Sequence, residues 1–359
     1  MAEAGKNVRK ILAIDGGGIR GILPARILQF IEERTGKPAS SCFDLIAGTS
    51  TGGILALGLT LPSAANPHTP KYKAEDMLGF YFKNGPAIFH TTAWDKVLDL
   101  VRPGIDPANL EAALKTCFGG STELKDSLIP VLIPSYDLNG IDSATKKAVG
   151  SQPIFFSSEK AKSLDGFNYL TWHVGRSTSA APTYFPPFDM SPVGKPDYSL
   201  VNVDGGVVAN NPALCAWVEG MNLFGAQQAG DGGAGGAQRC DQDPPSFLVV
   251  SIGTGELQLQ LKYAAAEKWG KLQWVAPVLD ILMDGACATV DHQMRTLMAP
   301  ADDAASASSA SYFRLQPALD KTHSDMANAT PGNMASLLAL TEQYLKDNTA
   351  MLEVLCARL

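Results

Sequence analysis

Apolar residues along the chain occur in short runs of strand length and in longer stretches with the spacing of an amphipathic helix. The runs at residues 10–14, 43–47 and 247–252 are each closed by glycine within two positions, which is typical of buried strands. Three weaker runs predict further strands at residues 128–135, 154–157 and 198–203. Because the first two runs bracket a predicted helix at 22–34, they form a βαβ unit, which implies parallel strands in a sheet covered by helices.

Helical spacing predicts most of the remaining elements. Predicted helices begin at residue 54 and cover residues 73–83, 109–118, 171–184 and 213–223. Residues 256–300 carry tryptophans and aliphatic residues at helical intervals, which fits either core packing or an apolar lip that meets lipid. A single apolar stripe over 333–359 predicts one or two docked helices. We therefore predict one α/β domain over residues 1–359, in which 256–359 form a mainly helical C-terminal part.

Composition and charge narrow the classes of function. The 359 residues are 45% hydrophobic and 18% charged, which is ordinary for a globular enzyme. The net charge of −7 argues against a nucleic-acid polymer as partner and against a polybasic membrane anchor. Residues 1–10 lack the apolar core of a signal peptide, and no run of about 18 apolar residues occurs. Six cysteines are scattered without a C-x-x-C pair, so we expect a reduced, cytoplasmic protein without disulfides or a metal site.

The strongest chemical signal lies between the second predicted strand and the helix that follows it. Residues 48–52 read Gly-Thr-Ser-Thr-Gly, a G-x-S-x-G whose glycines leave room for a sharp strand-to-helix turn. Such a turn exposes the Ser50 hydroxyl beside the N-terminus of a helix, where free N–H groups favour a developing anion. We interpret Ser50 as a catalytic nucleophile. The alternative is an ordinary Gly-Ser turn.

A glycine-rich loop follows the first strand. Gly16, Gly18 and Gly21 match the G-x-G-x-x-G of dinucleotide-binding folds, but the second strand enters the serine turn where such a fold carries an acidic ribose ligand. Neighbouring parallel strands end side by side, so we expect this loop close to Ser50. Its bare N–H groups could then hold the oxygen of an ester under attack, as an oxyanion hole. A tight turn that serves only the fold is the alternative.

A later predicted strand is also followed by a side chain that could take part in catalysis. The strand predicted at 198–203 is followed by Asp204-Gly-Gly, and Asp204 is a candidate base for Ser50, although aspartate before glycine is also common in turns. A rival arrangement is an α/β-hydrolase triad in the order Ser, Asp, His, because His292 and His323 follow Asp204. A catalytically silent lipid- or nucleotide-binding module is a further alternative.

Together these motifs resemble the patatin-like phospholipase family. Three motifs carry the resemblance, in the family's order and at fitting intervals: Asp15-Gly-Gly-Gly-Ile-Arg-Gly21, Gly48-Thr-Ser-Thr-Gly52 and Asp204-Gly-Gly206. Residues 178–185 and 210–212 match the family as well, and the resemblance extends over residues 8–300. It implies a three-layer α/β/α fold with a mostly parallel central sheet, and hydrolysis of lipid acyl esters of the phospholipase A type.

The resemblance also implies a Ser–Asp dyad that works without histidine, calcium or another cofactor. Residue by residue, Ser50 matches the nucleophile, Asp204 the base, Gly16, Gly17 and Gly18 the oxyanion loop, and Arg20 its accompanying basic residue. The implied substrate is a phospholipid or another fatty-acyl ester, met in transient contact with a membrane surface. Some bacterial members are effectors that cyclic dinucleotides activate. The motifs leave open whether such an activator, or a homodimer, applies to this chain.

Overall fold

A computed structural model describes residues 8–90, 104–140, 147, 149–225, 246–257 and 263–359 of the chain. The strands, in chain order, are β1 (Arg9–Ile14), β2 (Leu45–Gly48), β3 (Val131–Asp137), β4 (Gln152–Ser157), β5 (Phe188–Met190), β6 (Leu200–Asp204), β7 (Phe247–Ile252), β8 (Glu256–Leu257), β9 (Tyr312–Leu315) and β10 (Ala318–Leu319). The central sheet has the order β5-β6-β3-β2-β1-β7-β9, and β4 also pairs with β3. Because β3, β2, β1, β7 and β9 run parallel, the predicted mostly parallel sheet is confirmed.

Capping residues mark the ends of some of the helices. In chain order they are α1 (Ile22–Thr35), α2 (Ala39–Cys42), α3 (Thr51–Leu59), α4 (Ala74–Ile88), α5 (Ala108–Phe118), α6 (Ser158–Ser163), α7 (Thr171–Thr178), α8 (Gly206–Ala209), α9 (Ala213–Gly225), α10 (Tyr263–Ala266), α11 (Lys271–Leu297), α12 (Pro331–Asp347) and α13 (Thr349–Arg358). After α1, Gly36 adopts a φ of +68°, the left-handed conformation that closes many helices. The Thr330 hydroxyl caps α12 by accepting the N–H of Asn333.

Alternate residues of β1 point to opposite faces of the sheet, as the period of a strand requires. Leu12 and Ile14 pack in one apolar core together with α1, α3 and α4. Ile11 and Ala13 pack in a second core together with α9. Burial of each leucine or isoleucine contributes about 1.5–3 kcal/mol to folding. Two cores on opposite faces of one sheet make three layers, so the predicted α/β/α fold is confirmed.

Strands β2 and β6 occupy consecutive parts of the same edge of β3. At the start of β3, Val131 and Leu132 pair with β2 in parallel. Further along, Ser135 pairs with Asp204 of β6, which is antiparallel to β3. Strand β4 takes up the opposite edge of β3 over its length. The carboxyl ends of β2 and β6 therefore point toward each other, and this arrangement brings two distant segments of the chain to one place.

The helix predicted over 171–184 is too long. In the structure α7 ends at Thr178, and the chain continues as turns. Pro182 disfavours helical geometry at the residue before it, and Thr183 adopts a left-handed φ of +73°. The residues that leave the helix run past the carboxyl end of β6, where the Ala180 carbonyl accepts the N–H of Asp204.

The C-terminal part contributes a strand to the sheet as well as helices. The apolar pattern does not predict β9, because Arg314 interrupts a run of four residues. β9 pairs with β7, so residues 256–359, predicted to be mainly helical, also extend the central sheet. Helix α9 ends at Gly225, two residues beyond the predicted end at residue 223, and residues 226–245 lie outside the described part of the chain.

The cysteines in the described ranges are free thiols: Cys42, Cys117, Cys215, Cys287 and Cys356. Cys42, Cys117 and Cys356 are buried, and Cys240 lies outside the described residues. In the same ranges, no helix combines the length and the apolar character needed to cross a bilayer.

Candidate active site

Ser50 lies at the sharp turn between β2 and α3, with a φ of +53° that is strained for a residue other than glycine. Gly52 makes the turn possible, because a Cβ added there would lie 2.3 Å from the Ile14 carbonyl oxygen. The Ser50 N–H donates to the Thr178 hydroxyl over 2.9 Å. That hydroxyl in turn donates to the Pro134 carbonyl over 2.7 Å. The surrounding chain therefore fixes Ser50 in its strained conformation.

The side chains of Ser50 and Asp204 meet directly. Ser50 Oγ donates to Asp204 Oδ2 over 2.6 Å, and both residues are buried. The other carboxylate oxygen accepts the Gly206 N–H over 2.7 Å. Burial raises the pKa of Asp204 to about 7, although the hydrogen bonds from Ser50 and Gly206 oppose the rise. A carboxylate with this pKa can act as a general base near neutral pH.

The histidines of the rival triad lie elsewhere. The His323 ring contacts the Asp320 carboxylate at 2.8 Å and the Ser336 hydroxyl at 2.7 Å. His292 is exposed on α11. Neither residue lines the cavity at Ser50. The geometry of the described residues is thus that of a dyad, with no imidazole between Ser50 and Asp204.

The glycine loop lies against Ser50, but its amides are not equivalent. The Gly16 N–H donates to the Asn210 carbonyl over 3.0 Å. This corrects the prediction that Gly16 offers a free amide, since its donor is already used by a residue distant in sequence. The N–H groups of Gly17 and Gly18 have no acceptor within the described chain, and both residues line the cavity beside Ser50. Two of the three predicted donors are therefore available.

Contacts on the far side hold the loop in place. The Ile19 N–H donates to the Met326 carbonyl over 2.9 Å. Gly18 has a φ of +60°, and a Cβ there would lie 2.4 Å from that same carbonyl oxygen. The buried Arg20 side chain is directed at the Gly17 carbonyl, with its Nε 3.4 Å away. Arg20 therefore braces the loop from behind rather than lining the cavity.

A buried ion pair lies directly before the loop. Arg314 donates from Nη2 to Asp15 Oδ2 over 2.6 Å and from Nη1 to Oδ1 over 3.0 Å. Burial raises the pKa of Asp15 above its ordinary value, although Arg314 opposes the rise. Burial also works to lower the pKa of Arg314, but the Asp15 carboxylate outweighs it and raises that pKa. The two charge-assisted bonds indicate a carboxylate paired with a charged guanidinium.

Two side chains that support the glycine loop, those of Thr254 and Arg314, were not predicted to have a role from the sequence. The Thr254 hydroxyl donates to the Gly16 carbonyl over 2.5 Å, at the end of β7 next to β1. Its signal was the Gly-Thr-Gly that closes β7. The signal for Arg314 was a charged residue inside a short apolar run. Neither signal could be used without knowing which strands are neighbours.

A mostly apolar cavity of about 550 Å³ opens at Ser50. Its wall includes Ile54, Phe80, Ile88, Phe89, Leu110 and Phe185. Leu282 and Met283 of α11 also line the cavity. Ile281 and Leu282 are 45% and 55% exposed, so the core-packing interpretation is wrong for this part of α11. The helix instead presents apolar side chains at the rim of the cavity.

Comparison with known proteins gives consistent matches. Residues 12–217, which contain both Ser50 and Asp204, match the family model described as "Patatin-like phospholipase". "Patatin-like protein 2" of Oryza sativa subsp. indica is 32% identical over 372 residues, covering 96% of this chain and 85% of that protein. "Patatin-like protein 3" of Arabidopsis thaliana is 33% identical over 368 residues, covering 94% and 80%. "Probable inactive patatin-3-Kuras 1" of Solanum tuberosum is 30% identical over 364 residues, covering 95% and 87%.

Proposed function

The chain belongs to the patatin-like phospholipase family, and from that premise we propose that it is a lipid acyl hydrolase that cleaves carboxylic esters of phospholipids through an acyl-enzyme on Ser50. Membership alone does not decide activity, since a relative is named as probably inactive. The observation that carries the proposal is the 2.6 Å hydrogen bond from Ser50 Oγ to the buried Asp204 carboxylate, with both residues lining an apolar cavity.

In the first step Ser50 Oγ attacks the ester carbonyl carbon while its proton passes to Asp204 Oδ2. The bond from Gly206 to Oδ1 keeps the carboxylate oriented toward the hydroxyl. The proton then goes to the departing alcohol oxygen, which leaves the fatty acyl group on Ser50. In the second step Asp204 takes a proton from water while the water oxygen attacks the acyl carbon. The bond from that carbon to Ser50 Oγ then breaks, Oγ takes the proton back from Asp204, and the fatty acid leaves. Both steps need Asp204 ionised at the start, which its pKa of about 7 allows near neutral pH.

The negative oxygen of each tetrahedral intermediate is held by the Gly17 and Gly18 amides. The Thr51 N–H, at the start of α3, also has no acceptor in the described chain and supplies a third donor. Loss of one such donor typically costs about 10²–10³-fold in rate, because the donors act on charge that develops in the transition state. Arg20 contributes by supporting the loop.

The cavity favours a long apolar acyl group. Burial of each methylene contributes about 0.8 kcal/mol, so a fatty-acyl chain gains far more from this wall than an acetyl group does. The exposed apolar residues of α11 at the rim support transient contact with the membrane that holds the substrate.

The test is turnover of phospholipid vesicles by the protein and two variants. Ser50→Ala and Asp204→Asn should each lose roughly 10⁴-fold or more in kcat while the fold is retained, because the two groups act as a unit. Ser163→Ala, which changes an exposed serine on α6, is the matched control and should keep its activity. A fluorophosphonate should label the wild type at Ser50.

Substantial turnover by either dyad variant would contradict the mechanism. An unlabelled Ser50 together with no turnover would instead favour the silent binding module. Repeating the assay with a panel of cyclic nucleotides tests whether an activator of that class is required.

A further inference from the structure

We propose that Arg314 is a positioning residue that keeps the Asp15 carboxylate away from the Gly17 and Gly18 amides, so that these N–H groups remain available to the ester oxygen. The inference rests on the proposed function, because it concerns the same reaction. Arg314 lies on β9, two strands away from β1, and outside the residues 12–217 that match the family model. It reaches Asp15 past β7, where its Nη1 also donates to Ser251 Oγ over 2.8 Å.

An aspartate followed by glycines has a strong local alternative for its carboxylate. Aspartate side chains commonly accept hydrogen bonds from backbone N–H groups two or three positions ahead. For Asp15 those positions are Gly17 and Gly18, the two residues whose amides lack an acceptor in the described chain. A carboxylate bound there would occupy the donors that the ester oxygen needs.

Asp204 makes a local hydrogen bond of this kind in the same molecule. It too ends a stretch of strand and is followed by two glycines. Its Oδ1 accepts the N–H of Gly206, two positions ahead, over 2.7 Å. Asp15 makes no such bond to its own glycines among the described contacts, although the local sequence is equivalent. Unlike Asp204, Asp15 has both carboxylate oxygens bound by a guanidinium, that of Arg314.

Arg314 occupies both oxygens of Asp15, at 3.0 Å and 2.6 Å. The Cys287 thiol adds a weak donor to Oδ2 at 3.6 Å. The Asp15 and Arg314 side chains are only 2% and 6% exposed, so water cannot readily take the place of the guanidinium. A lysine would supply one point charge and could not hold both oxygens in the same plane.

The experiment compares kcat and KM for a soluble short-chain p-nitrophenyl ester, with kcat expressed per Ser50 titrated by a fluorophosphonate. In Arg314→Met we expect kcat to fall about 100-fold with KM within about threefold, because the blocked donors act in the transition state. Arg314→Lys should fall about tenfold, since the lysine holds Asp15 incompletely. Arg34→Met, which breaks the exposed pair with Glu353, is the control and should stay within about twofold.

Two double variants separate positioning from a general structural role. Both Asp15→Ala and Asp15→Asn, placed in the Arg314→Met background, remove the buried unpaired charge. Only alanine also removes the acceptor. We therefore expect the alanine double variant to recover kcat at least about tenfold relative to Arg314→Met, whereas the asparagine double variant stays low because its Oδ1 still binds the loop amides.

The proposal is overturned if Arg314→Met keeps kcat within about threefold of wild type, or if the two double variants recover equally. Should the single variants fail to fold, the comparison of the two double variants still decides the question. Wild-type turnover that requires Ser50 is established separately, so these outcomes count against Arg314 alone. A wild type without turnover contradicts both the proposed function and the role of Arg314.

Discussion

The carboxylates of Asp15 and Asp204 are both buried near Ser50, and their partners give them different chemistry. Asp15 is neutralised by Arg314 through two hydrogen bonds. Asp204 receives only a hydroxyl and an amide among the described residues. Since no cation offsets the loss of solvation, burial raises the pKa of Asp204 to about 7. Asp15 is thus held in a buried ion pair, and Asp204 can exchange a proton near neutral pH.

The raised pKa of Asp204 should lower the stability of the fold as pH rises. The native state holds the proton more tightly than the unfolded state, whose aspartate has the ordinary pKa of 3.8. Stability is therefore lost between pH 4 and 7, by at most about 4 kcal/mol. Asp204→Asn removes this loss, so its Tm relative to wild type should increase by a few degrees from pH 5 to pH 8.

The measurement is Tm against pH by circular dichroism. Asp189→Asn, which removes an exposed carboxylate on β5, controls for the change in net charge. A Tm difference between Asp204→Asn and wild type that does not change with pH would contradict the assignment.

At the scale of elements, α11 connects the cavity to the outside of the molecule. Val278 and Ile281 are 39% and 45% exposed, one helical turn apart on the same helix that lines the cavity with Leu282. A membrane surface would cover these side chains and bring the lipid ester to the rim. We therefore expect the two exposed residues to affect lipid hydrolysis without touching the chemistry at Ser50.

The double variant Val278→Ser/Ile281→Ser should hydrolyse phospholipid vesicles about tenfold more slowly, which corresponds to about 1.4 kcal/mol of lost surface binding. Hydrolysis of a soluble short-chain ester should stay within about twofold of wild type. Leu164→Ser, which changes a similarly exposed leucine after α6, is the control. Equal loss on both substrates would place these residues in the fold instead of at the membrane.

Elements with a strong local signal could be predicted from the sequence, and those defined by distant contacts could not. β7 has the predicted bounds, because five buried apolar residues and the buried Ser251 stand between glycine- and proline-rich segments. β9 is missing from the prediction because Arg314 interrupts its apolar run, and the ion pair with Asp15 that accounts for this arginine is formed only in the fold. In the site, the glycine turns beside Ser50 and Asp204 allow both residues to be predicted as candidates. The hydrogen bond made by the Gly16 amide could not be predicted, since its acceptor is the carbonyl of Asn210, which is distant in sequence.

For the whole molecule, the family match ends before two strands that the sheet needs. β7 pairs with all six residues of β1, the strand that carries the glycine loop at its end. β9 pairs with β7 and holds Arg314. Removing both strands would leave β1 unpaired on one edge and the Asp15 carboxylate without its cation. The site therefore depends on residues well beyond 217.

A fragment that ends at Gly225 keeps every residue of the family match but should not fold cooperatively. Loss of β7 exposes the buried residues of β1 on that edge, and an unpaired buried carboxylate adds a cost of about 3–5 kcal/mol. Thermal unfolding followed by circular dichroism should show no cooperative transition, in contrast to the full chain. A cooperative transition with native helix content would contradict this dependence.

The carboxyl ends of β2 and β6 face each other along β3. The length of β3 between them therefore sets the distance between Ser50 and Asp204. Residues 133 and 134 span the gap between the part of β3 that pairs with β2 and the part that pairs with β6. Each residue of a strand adds about 3.3 Å, more than the 2.6 Å between the two reacting oxygens. One residue inserted or deleted in this gap would abolish proton transfer, whereas changes in length within the loops outside β3 would leave that spacing intact.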